Sequence, residues 1–289
     1  LMKSLNLSLG LVTNGGNLGR VLEIADCLDE NDWVRLSLDS GKNDTFRIMH
    51  KPRTAITLEE ICTFIPLIKE KNSKFKIGFS FIVVWDNCEA NSTSIHENIK
   101  EMEMAAKLAK INKFDYISYK PFLTRADVNN AEVVELTKEE QHIKIVMNQI
   151  RKNINKAKEF EGEGFKVIES TNLKVLENGT YRNYTKQPKN CHMQFFRQII
   201  SPFGVFNCPV YRNVPQATIG TKNAYVDSNS ASEATFNTLK LIDKFDARKE
   251  CKDVTCLYNH ANWFIEDLIN NPDKLNNLES RKDRKDYYL

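Results

Sequence analysis

Apolar positions in the first half of the chain alternate between short, near-continuous runs and longer stretches spaced three and four residues apart. LNLSLGLVTNGG reads as a strand ending in a Thr-Asn-Gly-Gly turn, and LGRVLEIADCLDEN follows at helical spacing. WVRLSLDSG predicts a second strand. TLEEICTFIPLIKEKN predicts a helix opened by Thr57 with Glu60 three residues on, a capping-box pattern, and Pro66 is expected to kink or shorten it. KIGFSFIVV is the third strand, IHENIKEMEMAAKLAKIN a helix, FDYISYKPF the fourth strand and TKEEQHIKIVMNQIRKNINKAKEF a long amphipathic helix. Strands joined by helices of this length need crossover connections, so the pattern predicts an α/β fold with a parallel sheet covered on both faces.

Beyond about residue 163 the pattern changes. GFKVIESTNLKVLENGTYRNYTK has short strand-like pieces broken by Asn and Gly and reads as a connector with a hairpin. CHMQFFRQIISPFGVFNC follows, two apolar runs around a Ser-Pro-Phe-Gly turn, which predicts a second hairpin. A polar loop, the helix SEATFNTLKLIDKF, the CKDVTC loop and the amphipathic run NHANWFIEDLI come next. The strongly charged end, LESRKDRKDYYL, is expected to be solvated. The expected organisation is an α/β region over 1–163, a connector and cysteine-rich α+β region over 164–272, and a charged tail over 273–289.

Ligands of parallel sheets bind beyond the carboxyl ends of the strands. The polar residues there are Thr13 and Asn14, Ser37 and Asp39, Asp86 and Asn87, and Lys120. Each has a simpler reading: Asn14 before Gly15 shapes a turn, and Ser37 or Asp39 caps the next element. Four consecutive strands ending in polar groups point to a binding mouth.

Forty-one basic and 38 acidic residues give a formal charge of +3, without the basic excess of a protein dominated by phosphate contacts. No apolar stretch reaches the roughly 20 residues that span a bilayer. Neither nucleic acid nor a membrane is expected as a partner. Seven cysteines, an odd number, with no signal-peptide pattern argue against a secreted disulfide framework and for a cytoplasmic protein. Cys27, Cys62 and Cys88 fall in or beside predicted elements and read as buried or half-buried thiols. The hairpin would bring Cys191 and Cys208 together, and Cys251 and Cys256 precede a helix. Four converging thiolates suit an iron–sulfur cluster or zinc. A disulfide between Cys251 and Cys256, or unliganded core thiols, would also explain them.

TNGG, WVRLSLDSG, IGFSFIVVWDN and FDYISYKPF, in this order, resemble strands three to six of the partial (β/α)6 barrel of radical S-adenosylmethionine enzymes. The cysteine-rich end resembles the SPASM or Twitch auxiliary-cluster module found downstream of that barrel. The resemblance implies that Ser37 and Asp39 contact the ribose or methionine part of S-adenosylmethionine. It places Asn14 at the same mouth, with Asn87 and Lys120 above the last two strands near cofactor or substrate. It further implies one auxiliary [4Fe-4S] cluster on Cys191, Cys208, Cys251 and Cys256, as in a Twitch-like module. The substrate would be a small molecule or peptide, and the electron donor a flavodoxin or ferredoxin. The Cys-x3-Cys-x2-Cys loop that holds the family's catalytic cluster is absent, as is its Gly-Gly-Glu-Pro segment. The start at Leu1, just before the third-strand match, leads to the expectation of an N-terminally truncated enzyme whose intact form carries a second [4Fe-4S] cluster. The alternative is a zinc-stabilised α/β binding protein with a structural four-cysteine site and no catalysis.

Overall fold

A computed structural model describes residues 2–90, 93–125, 132–133 and 140–278. They fall into two compact units, the first built from residues 2–122 and 140–177 and the second chiefly from 178–278.

The first unit is α/β. Its five strands are β1 (Gly10–Thr13), β2 (Trp33–Ser37), β3 (Lys76–Val83), β4 (Tyr116–Pro121) and β5 (Lys166–Glu169). All neighbours are parallel, and the order across the sheet is the order along the chain. Its helices are α1 (Leu18–Ile24), α2 (Asn43–His50), α3 (Leu58–Lys71), α4 (Met102–Ile111), α5 (Glu140–Lys158) and α6 (Thr171–Glu177). Right-handed crossovers between strands in sequential order bring the connecting helices to one face. This winding is compatible with a partial (β/α) barrel. On the helix side Val34, Leu36, Ile77, Phe79, Phe81, Ile117 and Tyr119 have no exposed surface. Ile61, Ile65 and Ile68 of α3 and Ala105, Ala106 and Ala109 of α4 are equally buried. Each large side chain so buried contributes about 1.5–3 kcal/mol before entropy is counted.

The capping box of α3 is present: Glu60 N–H donates to Thr57 Oγ1 (3.1 Å) and Thr57 N–H to the Glu60 carboxylate (2.7 Å). Pro66 does not shorten the helix as expected, and α3 runs through it to Lys71. Proline removes one backbone bond, but buried Ile61, Cys62, Ile65 and Ile68 pin both sides of it to the core.

Three features depart from the sequence reading. Helix α2 is not predicted by the apolar pattern, because NDTFRIMH lacks a long apolar repeat. It is organised by Glu101, whose carboxylate accepts from Gly41 N–H (2.8 Å), Lys42 N–H (3.1 Å) and the Thr45 hydroxyl (2.5 Å). The stretch expected as a connector supplies β5 and α6 instead. β5 pairs with β4 in the register Ile117 to Val167, and Phe165, Val167, Leu173 and Leu176 are buried, so the first unit extends to about residue 177. Cys27, read as a buried or half-buried thiol, is exposed at the end of a 3₁₀ turn, whereas Cys62 and Cys88 are buried.

In the second unit the expected hairpin forms from β6 (Ile199–Ser201) and β7 (Gly204–Phe206), and β8 (Thr218–Gly220) adds an antiparallel third strand. Helix α7 (Ser228–Lys244) starts at Asp227, which accepts from Ser230 N–H (2.8 Å). A short α8 (Ala247–Glu250) and α9 (Asn259–Asn270) complete it. One buried cluster consists of Cys208, Tyr211, Val214, Ala217, Phe245, Ala247, Cys251 and Val254, with Cys191 and Cys256 packed against them, and Val205, Phe206, Ile219 and Ala234 are buried about the small sheet. Of the expected charged tail, Pro272–Asn277 forms a 3₁₀ segment, and 279–289 lie outside the described residues. Among the described residues no helix is long and apolar enough to cross a membrane.

Candidate functional site

Side chains alternate across a strand, and paired residues of parallel strands share a face. The observed register therefore puts Trp33, Arg35 and Ser37 of β2, Gly78 and Ser80 of β3, and Tyr116, Ser118 and Lys120 of β4 on the face opposite the apolar one. Two glycines make room for rings there. A Cβ on Gly10 would lie 2.3 Å from Trp33 Cζ2, and one on Gly78 would lie 2.0 Å from Tyr116 Cζ. The guanidinium of Arg35 sits 5.2 Å from the centre of the Trp33 ring, and its Nε is buried without a hydrogen-bond partner among the described residues. Burial pushes the Lys120 ammonium down to about 8; the charge of Arg35 adds to the shift and that of Asp39 opposes it. Two cations and three serine hydroxyls on one sheet face can bind an anionic or polyhydroxylic ligand.

The residues expected at this mouth divide into two groups. Ser37, in register with Ser80, and Lys120, in register with Ile82, stand at the carboxyl ends of β2 and β4, the two strands that flank β3. Asp39 lies beside them, electrostatically coupled to Lys120, but its carboxylate is occupied within the unit. It accepts from Ile82 N–H (2.7 Å) and lies 3.3 Å from His50 Nε2, while its carbonyl accepts from Asn98 Nδ2 (2.8 Å). Its positive φ of 51° is one that aspartate tolerates. Asp39 therefore braces the carboxyl edge of the sheet. Asn14 is exposed, and its side chain accepts from Gly16 N–H (3.0 Å), the turn-shaping role. Asn87, at φ 59°, is exposed in the turn after β3 and donates to the Asp86 carboxylate (3.1 Å).

In the second unit the four late cysteines meet. Cys191, Cys208, Cys251 and Cys256 line one small cavity together with Gln187, Gln194, Arg197, Tyr211 and Asn262. All four thiols are free, which removes the disulfide reading for Cys251 and Cys256 in this structure. Burial is the main force raising the pKa of the Cys191, Cys251 and Cys256 thiols, Cys256 to about 11. The other cysteines add to it: Cys208, Cys191 and Cys256 all push Cys251 further up. That mutual effect reflects how near the sulfurs lie to one another. Two N–H groups point at sulfur: Arg197 Nη2 is 3.7 Å from Cys208 Sγ and Asn262 Nδ2 is 3.8 Å from Cys191 Sγ. Among the described residues, no three or more His, Cys, Asp or Glu side chains are arranged to hold a single metal ion. The four thiols form the walls of the cavity.

As a donor set the cavity suits a thiolate-bound group. It offers four sulfurs, no carboxylate among its lining residues, and one cation. Hairpin strands β6 and β7 carry Cys208 to the cavity, and the loop between α8 and α9 carries Cys251 and Cys256. Arg197 and Asn262 are site residues that sequence reasoning does not single out. The one available signal for Arg197 is a lone charge inside the apolar run FFRQII, and for Arg35 a lone charge in WVRLS. Asn262 gives none, since its role depends on how α9 packs. Neither the protein-family models nor the curated proteins include a match to this chain.

Proposed function

We propose that the protein is the barrel and auxiliary-cluster portion of a radical S-adenosylmethionine enzyme. Cys191, Cys208, Cys251 and Cys256 hold a [4Fe-4S] cluster, and the polar face of the first unit's sheet binds S-adenosylmethionine and substrate. The observation that carries the reading is the gathering of four thiols around one cavity: Cys191 before a 3₁₀ turn, Cys208 after the hairpin, and Cys251 and Cys256 from a distant loop. Thiolates are the usual ligands of such clusters, and N–H donors to sulfur accompany them.

When bound, the cofactor supplies a 5′-deoxyadenosyl radical for hydrogen abstraction and the auxiliary cluster a one-electron redox centre. In this reading the chain's own residues bind and orient. The hydroxyls of Ser37, Ser80 and Ser118 face ribose oxygens, and Lys120 and Arg35 pair with carboxylate groups of cofactor or substrate. Asp39 and Asn98 hold the strand ends that position them. No Cys-x3-Cys-x2-Cys spacing occurs in these 289 residues, so the role assigned to them is positioning and auxiliary redox chemistry. The substrate class is a small molecule or peptide, and the electron donor is of the flavodoxin or ferredoxin type.

Anaerobic production of the chain, followed by iron, acid-labile sulfide and zinc analysis, tests the reading. The expected result is a brown protein with about four irons and four sulfides per chain. A colourless protein holding one zinc would replace it with a structural four-cysteine zinc site.

A further inference from the structure

Arg197 lies between Cys191 and the first strand of the hairpin, in a setting unusual for a cation. Its guanidinium is 4.3 Å from the centre of the Tyr258 ring, and Nη2 points at Cys208 Sγ. Nε and Nη1 are both buried with no hydrogen-bond partner among the described residues. Burying a guanidinium is costly unless opposite charge compensates it. Arg197 is the one cation among the residues lining the cavity, and no carboxylate lines it. The groups nearest the guanidinium that can carry negative charge are the sulfurs, and a metal-bound set of thiolates would supply it, since ligation removes the protons and leaves a net negative centre.

We infer that Arg197 is a positioning and charge-compensating residue that raises the reduction potential of the centre held by the four cysteines. The inference rests on the cluster reading above and deepens it. Reduction takes one electron from an external donor and adds one negative charge to the centre; no bond forms or breaks. A fixed positive charge and N–H donors beside the sulfurs favour the reduced form, which is how net charge and hydrogen bonding set iron–sulfur potentials. The Tyr258 ring holds the guanidinium in place by cation–π contact. Asn262, 1% exposed and anchored by Met193 N–H (3.2 Å) and Gln187 (3.4 Å), supplies a second, neutral donor to Cys191.

The test is an anaerobic redox titration with dithionite, followed by electron paramagnetic resonance, on the reconstituted chain and its Arg197→Gln and Arg197→Lys variants. Iron and sulfide are measured on each sample. Arg197→Gln is expected to keep its iron and sulfide and to shift the midpoint to more negative potential by at least a tenfold change in the reduced-to-oxidised ratio, about 59 mV for a one-electron couple. Arg197→Lys, which keeps the charge and loses the fork, should recover most of that shift. A loaded Arg197→Gln protein with the wild-type midpoint overturns the inference and leaves the cluster reading intact. If Arg197→Gln does not load, loading of Arg197→Lys supports charge compensation, and failure of both variants overturns it in favour of a packing role. A wild-type chain without iron and sulfide overturns both readings together.

Discussion

The two units build their interiors in opposite ways. The first buries large apolar side chains between a parallel sheet and its helices, Phe79, Phe81 and Phe114 among them, with Cys62 and Cys88 buried as single thiols. The second has a cluster of eight buried residues of which two are cysteines, and two more cysteines pack on its edge. Both contain buried cysteine, but only in the second do four thiols line one cavity among the described residues. In the first unit Cys62 is packing material on α3, its thiol pushed up to about 12 by burial and by Glu59. In the second, the thiols face one another across a cavity whose one cation is Arg197. On the proposed reading, this unit would gain much of its order from what the sulfurs bind, as small metal-dependent domains do.

Paired cysteine substitutions test that contrast most severely. Cys251→Ala should abolish iron and sulfide binding and leave the second unit open to proteolysis, since the binding energy of a structural metal centre is on the order of 10 kcal/mol. Cys62→Ala should lower the first unit's stability by only about 1–2 kcal/mol through lost packing and leave iron content unchanged. Limited proteolysis with mass spectrometry, alongside metal analysis, reads both. Equal effects of the two substitutions would erase the distinction between the cores.

Lys120 gives a smaller, pH-dependent contrast within the first unit. Burial, reinforced by Arg35, holds its folded pKa at about 8, below the ordinary 10.5. Between those values the unfolded chain binds more protons, so stability rises with pH through that window; below about pH 8 the full burial penalty is present. Lys120→Met should therefore stabilise the unit at pH 7 by roughly 1–3 kcal/mol, allowing for solvent screening of a half-buried group, and flatten its stability between about pH 8 and 10.5. Denaturant melts across that range check it. A Lys120→Met protein less stable than wild type at pH 7 would mean the lysine is paired with an anion, the state expected when ligand is bound. The smallest effect belongs to Thr57→Ala, which removes one side of the α3 capping box and should cost about 1 kcal/mol in the same melts without changing metal content.

Four of the five strands are legible because their apolar runs are continuous and their flanking helices long, and Thr57 and Glu60 announce the start of α3 within three residues. Strand β5 is hidden because KVIE is short, lies at the edge of the sheet, and is followed by the polar residues of ESTN. Helix α2 is hidden because the carboxylate that holds its start, Glu101, lies far along the chain. Of the residues expected at the mouth, Ser37 and Lys120 share one face of the sheet on either side of β3, while Asn14 spends its side chain in its own turn and Asp39 binds the backbone of β3. A polar residue at a strand end has the same letter whether it faces ligand or backbone.

The cysteine hairpin is likewise readable, since two apolar runs around Ser-Pro-Phe-Gly leave few ways to fold, and the CKDVTC pair stands out by itself. What the order of residues determined about this protein is local: strands, helices, caps, the hairpin, and a surplus of late thiols. Tertiary structure alone decided that these thiols share a cavity, that Arg197 turns its guanidinium toward them, and that Arg35 and Lys120 lie on one face of the sheet. Local structure follows from backbone geometry and apolar spacing over a few residues. A site follows from contacts between groups far apart in the chain, and their identity is set only when long-range packing brings them together and removes water from between them.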